Sequence, residues 1–147
     1  MRKISSGLIY FLIVLSLVGV IDSAYLTSKH YGEDVVVCAL GEESSKLDTC
    51  DSVTTSEYSE VFGIPVAVLG LLYYLTTLFG LVFLLYFPKK ALLALLGCIT
   101  GAGTLWSLWF VYVQFFILRS VCVYCMASAI TTFILFTVLL ALALKSR

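Results

Sequence analysis

Charge is scarce in this sequence. Asp, Glu, Lys and Arg make up only 12% of its 147 residues, about half of the quarter that soluble domains carry. That leaves too little solvating surface for a water-soluble fold. Histidine is nearly absent, with His30 alone, and nine basic residues balance nine acidic ones, so no basic patch exists to hold nucleic acid. Glycine-rich phosphate loops are lacking too: Gly97, Gly101 and Gly103 lie inside an apolar run and read as close-packing positions. What is abundant is hydrophobic side chain, 61% of the residues, at a mean hydropathy of +1.07. The chain is an integral membrane protein with a single membrane domain over 1–147. Its function must sit in the lipid bilayer or at its edge.

A helix needs about 20 mainly apolar residues to cross a hydrocarbon core of roughly 30 Å. Four stretches qualify, over about 6–24, 64–87, 91–118 and 121–144. Arg2 and Lys3 before the first give it a signal-peptide look. Its apolar run is too long for that and no small-residue cleavage site follows, so it reads as a retained helix. The expected fold is an all-α membrane protein, a four-transmembrane-helix bundle with a long extracytoplasmic loop carrying a short surface helix.

Orientation follows from the positive charges. Arg2, Lys3, Lys89, Lys90, Lys145 and Arg147 fall at the N-terminus, the second connection and the C-terminus, which share one side of a four-span protein. An excess of Lys and Arg marks the cytoplasmic face, so both termini are expected there. All nine acidic residues, Asp22 to Glu60, lie in or beside the first connection, about 25–63. That connection is expected to face outward. The segment from Ser56 through Tyr58, Val61 and Phe62 to Gly63 carries the pattern of a short helix lying on the membrane surface. The second connection is a tight turn at Pro88-Lys89-Lys90, and the third is barely three residues. Short loops in an antiparallel bundle hold the outer helix ends within about 10 Å of their neighbours.

Four of the five cysteines fall on that outer face: Cys38 and Cys50 in the long loop, Cys122 and Cys125 at the start of the fourth helix. Cys98 lies mid-span. Outside the cytoplasm disulfides persist, and a Cys38–Cys50 bridge closing a loop of this size contributes about 3 kcal/mol, which suits a structural staple. The CxxC suits chemistry as well. At a helix N-terminus its first thiol meets unsatisfied amides and the positive end of the dipole, with Arg119 nearby, and both favour thiolate. A zinc site made with Cys38 and Cys50 is the metal alternative. It is disfavoured because the loop lacks the close cysteine pair of zinc ribbons, and no metal is expected. Two dithiol pairs on an oxidising face can instead pass electrons one to the other by exchange. The donors are then soluble proteins with free cysteines. The acceptor is membrane-borne, since no flavin or nucleotide motif is present, and a quinone fits.

These residues together resemble the vitamin K epoxide reductase family in its prokaryotic branch, over nearly the whole chain. The resemblance rests on Asp22-Ser23-Ala24-Tyr25-Leu26-Thr27 with His30-Tyr31, then Cys38, Cys50-Asp51-Ser52 and Ser56. It continues through Tyr58-Ser59-Glu60-Val61-Phe62-Gly63-Ile64-Pro65-Val66-Ala67 and Leu69-Gly70 to Cys122-Val123-Tyr124-Cys125. It implies that Cys122 and Cys125 are the active-site pair, with Cys125 reacting with quinone, ubiquinone or menaquinone or a relative. It implies that Cys38 and Cys50 relay electrons, Cys38 meeting the partner and Cys50 exchanging with Cys122. Ser56 matches a serine near the quinone pocket, where a helix N-cap is the plainer role. Many prokaryotic members carry a fused thioredoxin-like domain after a fifth span. For a chain ending at Arg147 the resemblance implies a separate extracytoplasmic thioredoxin-like (DsbA-like) partner.

Further quinone contacts are expected from Phe62, Tyr124 and Gln114. Packing and interhelical hydrogen bonding are the competing uses of such residues. The same competition holds for Trp106, Trp109, Tyr112, Phe115 and Phe116 on the third span. Two other readings remain open here: an unrelated DsbB-type thiol oxidase, whose cysteine pairs come in the reverse order, and a non-catalytic subunit stapled by disulfides.

Overall fold

The computed structural model describes residues 6–32, 57–119 and 121–145. Helix α1 is Ser6–Gly32. A 3-10 turn, Glu57–Ser59, leads into a two-stranded hairpin of β1 (Glu60–Val61) and β2 (Ile64–Pro65). Helix α2 is Val66–Tyr86. Helix α3, Lys90–Tyr112, runs on as a π-helical stretch over Val113–Leu118, and α4 is Val123–Lys145.

Gly7–Gly32, Val66–Tyr86, Lys90–Leu118 and Val123–Lys145 are long and apolar enough to cross a membrane, as the hydropathy predicts. The protein is a multi-pass helical bundle. Its boundaries differ most at α1, which continues to Gly32 where the apolar run ends at Ala24. Thr27 Oγ1 and Ser28 Oγ donate back to the carbonyls of Ser23 and Tyr25 at 2.7 and 2.9 Å. The two hydroxyls are thus satisfied within the helix that carries on past the greasy run.

The segment expected to form a surface helix is, from Glu57 onward, the 3-10 turn and the hairpin. Glu60 pairs with Pro65 and Val61 with Ile64, antiparallel. The turn residues Phe62 and Gly63 both have positive φ, 55° and 76°, which suits a two-residue hairpin turn. No right-handed helix can pass through two such residues, and Pro65 has no N–H to offer one.

The bundle has the inside-out polarity of a membrane fold. Ser16, Thr77, Thr100 and Thr132 are buried, while Phe11, Ile21, Phe79, Leu105, Ile130 and Phe133 are exposed at the lipid-facing surface. Lipid tails are as apolar as leucine, so the hydrophobic effect does not sort these helices; close packing and hydrogen bonds hold them. Thr77, Thr100 and Thr104 satisfy their hydroxyls on carbonyls one turn earlier, at 2.8–2.9 Å. At the Pro88 end the core is a leucine cluster around Leu12, Leu81, Leu84, Leu93, Leu96, Leu135 and Leu139, together with Tyr74. Tyr74 ties α2 to α4: its hydroxyl meets Ser128 O at 2.8 Å and Ser128 Oγ and Thr132 Oγ1 at 2.9 Å.

The Tyr74 ring lies close against α1 because residue 19 is glycine. A Cβ there would run into the ring. Gly19→Val is expected to cost about 1–3 kcal/mol by overpacking, read as a lowered melting temperature in detergent. An unchanged melting temperature would show that α1 can back away from α2. Of the glycines expected to serve close packing, Gly103 faces Tyr73 and Gly101 faces Phe136, while Gly97 faces nothing within 4 Å.

Candidate redox site at the helix ends

The ends of α1 and α3 and the starts of α2 and α4 meet at one end of the bundle, beneath the hairpin. There the π-helical stretch closes α3 with a widened turn. It ends at Arg119, whose φ of 50° is left-handed and whose N–H donates to Gln114 O. Such widened turns recur at functional sites because they re-aim a side chain. Here the side chain is Gln114, fully buried, whose Oε1 accepts the backbone N–H of Cys122 at 3.0 Å.

Cys122 stands where a helix places its N-cap. Its carbonyl accepts the Met126 N–H at 3.0 Å, and its sulfur accepts the Cys125 N–H at 3.4 Å. The thiol thus takes the role that a serine hydroxyl takes in other helices. The spacing of the CxxC follows from this, because the amide three residues into the turn is the one a capping side chain reaches. Both cysteines are free thiols. A hydrogen bond from the Cys125 side chain, helped by the amides of Cys125 and Tyr124, holds the Cys122 thiol below the usual thiol range against the opposing effect of burial. A thiolate at neutral pH is the attacking form.

Cys122 is fully buried with Leu26, and Tyr25, Ala67, Phe110, Leu118, Tyr124 and Cys125 pack around them. Cys125 is half-buried. It lines a cavity of about 110 Å³ between the four helices, together with Gln114, Trp106, Phe110, Ser23 and Ser128. His30, Ser59 and Pro65 line it at the hairpin end, where His30 Nε2 lies 3.5 Å from Glu60 Oε1. The walls are mainly apolar. Among the described residues, Gln114 Nε2 is one of the few buried side-chain polar atoms with no hydrogen-bond partner.

The expected site residues separate clearly. Cys122, Cys125 and Gln114 come together as one constellation. Tyr124 stands beside it against Tyr25, ring centroids 5.3 Å apart, within the cluster around Cys122 and outside the cavity lining. Phe62 is fully exposed at the hairpin tip, away from the cavity. Its left-handed φ turns the side chain outward, which sequence proximity to the loop could not show. Cys38, Cys50 and Ser56 lie outside the described residues. Of the aromatic stretch on α3, Trp106 lines the cavity. Trp109, Tyr112 and Phe116 stack in a half-exposed ladder at 5.9 and 4.8 Å. Ser23, Leu26 and His30 were not singled out as site residues, although their spacing on α1 is that of one helical face. No three His, Cys, Asp or Glu gather as a metal site among the described residues.

A buried dithiol on a helix N-terminus, opening on an apolar cavity inside a membrane bundle, is equipped to pass two electrons to a lipid-soluble acceptor as it closes to a disulfide. No individual curated protein matches the chain. The family model described as "Vitamin K epoxide reductase family" matches residues 10–140, and its members are membrane thiol–disulfide oxidoreductases that use quinones and work with thioredoxin-like partners. With the match spanning most of its length, this chain belongs to the vitamin K epoxide reductase family.

Proposed function

We propose that the protein drives disulfide formation in exported proteins. Electrons pass from a separate thioredoxin-like, DsbA-like partner through Cys38 and Cys50 to Cys122 and Cys125, and on to a membrane quinone. The observation that carries this reading is the placing of Cys125 in the wall of an apolar cavity beside an unpartnered donor, Gln114 Nε2. The residues fit a quinone. A cavity of about 110 Å³ is on the scale of one aromatic ring, benzene being held by an apolar cavity of about 150 Å³. A buried amide donor without a partner suits a carbonyl oxygen.

When bound, a quinone supplies a membrane-soluble acceptor for two electrons and two protons. Gln114 Nε2 would orient it by a hydrogen bond, Trp106 and Phe110 would shield it, and Cys125 would present the sulfur. Cys122 closes the disulfide with Cys125, its thiolate held ready by the helix amides. Full burial of Cys122 bars a soluble protein from attacking it directly. That burial supports an intermediary thiol on the same chain, with the loop pair as relay. The distribution of Lys and Arg supports cytoplasmic termini and a site on the extracytoplasmic side.

The test is quinone reduction by the purified protein with a reduced thioredoxin-like protein as donor, using ubiquinone and menaquinone analogues. Turnover with at least one is expected. No turnover with any, and all four outer cysteines locked in unchanging disulfides, would favour the staple instead. In cells that depend on this protein for disulfides, Cys50→Ala is expected to trap Cys38 in mixed disulfides with exported proteins. Undiminished disulfide formation in that strain would exclude the relay.

A further inference from the structure

Asp22 is the only Asp or Glu in the four membrane-crossing helices. An ionisable group within a span is costly to keep and marks a functional position. Four residues separate Asp22 from Leu26, so the two share a face of α1, one turn apart. Leu26 packs against Cys122, and the neighbouring Ser23 lines the cavity with Cys125. One carboxylate oxygen, Oδ2, is buried and has no hydrogen-bond partner. A carboxylate retained to brace a bundle would have that oxygen paired.

The titratable groups close enough to feel the charge of Asp22 are Cys122, Cys125 and Tyr124 at the start of α4 and Tyr74 on α2. The Tyr74 hydroxyl is hydrogen-bonded to Ser128 Oγ at 2.9 Å, and Ser128 lines the cavity. Asp22 stands one turn from Leu26, which packs on Cys122, and one turn from Gly19, against which the Tyr74 ring packs, and the Tyr74 hydroxyl leads through Ser128 to the cavity wall.

We propose that Asp22 is the proton acceptor of the Cys122–Cys125 dithiol. Counted from the protonated dithiol, whose Cys122 proton leaves first to give the thiolate, closing that disulfide breaks two S–H bonds, forms one S–S bond and releases two electrons and two protons. The electrons and both protons end on the quinone, giving hydroquinone. One proton passes through the Asp22 carboxylate, which takes it from the dithiol and returns it through Tyr74 and Ser128 to the cavity. The proposal rests on the thiol–quinone reading above.

The test compares wild type with Asp22→Asn and Asp22→Glu in two measurements. The first is a pH titration of the reduced protein by ultraviolet thiolate absorbance, with no quinone present, taken as the difference from Cys122→Ser. The wild-type midpoint is expected below that of an ordinary cysteine thiol. In Asp22→Asn the loss of a nearby negative charge is expected to move it to lower pH. The second is quinone reduction, expected to slow on the order of a hundredfold in Asp22→Asn, in the range general acid–base catalysis supplies. Thiolate that forms more readily while turnover falls is a combination a merely structural residue cannot produce. Asp22→Glu, keeping the carboxyl, is expected to restore most turnover and a wild-type midpoint. An Asp22→Asn midpoint equal to wild type, or equal turnover at every pH, overturns the proposal. The titration decides even where the wild type reduces no quinone, a result that would fell the functional reading separately.

Discussion

Cys125→Ala is expected to abolish donor-driven quinone reduction, by on the order of a thousandfold or more, as removal of a reacting nucleophile does. Cys125 is the dithiol sulfur in the cavity wall, and nothing else in that lining can form or break a covalent bond to sulfur. Cys122 would remain capped by the amide of residue 125, so the fold of the helix start survives the substitution. The matched control is Cys98→Ala. Cys98 is exposed on the outer face of α3 and absent from the cavity lining, and its loss is expected to leave turnover unchanged. Stopped-flow or steady-state absorbance of the quinone reads both variants. Activity that survives Cys125→Ala, or disappears with Cys98→Ala, would overturn the assignment of the reacting sulfur.

Gln114→Leu should give the next largest loss, because one side chain serves two needs. Its Oε1 satisfies the Cys122 N–H at 3.0 Å, and its Nε2 is the free donor toward the cavity. Leucine matches the bulk and removes both. A buried N–H left without a partner costs about 1–3 kcal/mol. If that cost falls on the reactive arrangement of Cys122, turnover drops about 5- to 150-fold. Loss of the Nε2 donor raises KM for quinone in addition. Gln114→Glu separates the two roles, since a carboxylate oxygen still accepts from Cys122 while the donor is gone: KM is expected to rise with kcat less affected. Wild-type kcat and KM in Gln114→Leu would show that the π-helical turn, not the carboxamide, holds the site.

Much of this was legible in the chain itself. Four apolar runs in a sequence so poor in charge admit few folds, and the run lengths located α2, α3 and α4 to within a few residues. The CxxC was legible as a helix start, because a short loop after Leu118 and an apolar run beyond Met126 leave it no other place. Gln114 could be named as a polar residue near that end. Its partner could not be, since that depends on a π-helical turn no hydropathy pattern records. Phe62 looked like a ring available to a quinone, and the structure turns it to the outside through a backbone angle that bulky residues rarely adopt.

Composition and order therefore determined, without coordinates, that this is a four-span membrane protein with one dithiol at a helix end, and the family match over residues 10–140 agrees. Those features are local: apolar length sets a span, and three residues of spacing bring a capping sulfur to its amide. Only the tertiary structure decided which residues share the cavity with Cys125. Gln114 from α3, Ser23 and Leu26 from α1 and Ser128 from α4 are far apart in the chain. They meet because a glycine admits the Tyr74 ring between helices, and because helices that cannot sort by hydrophobicity settle where their small and polar faces fit.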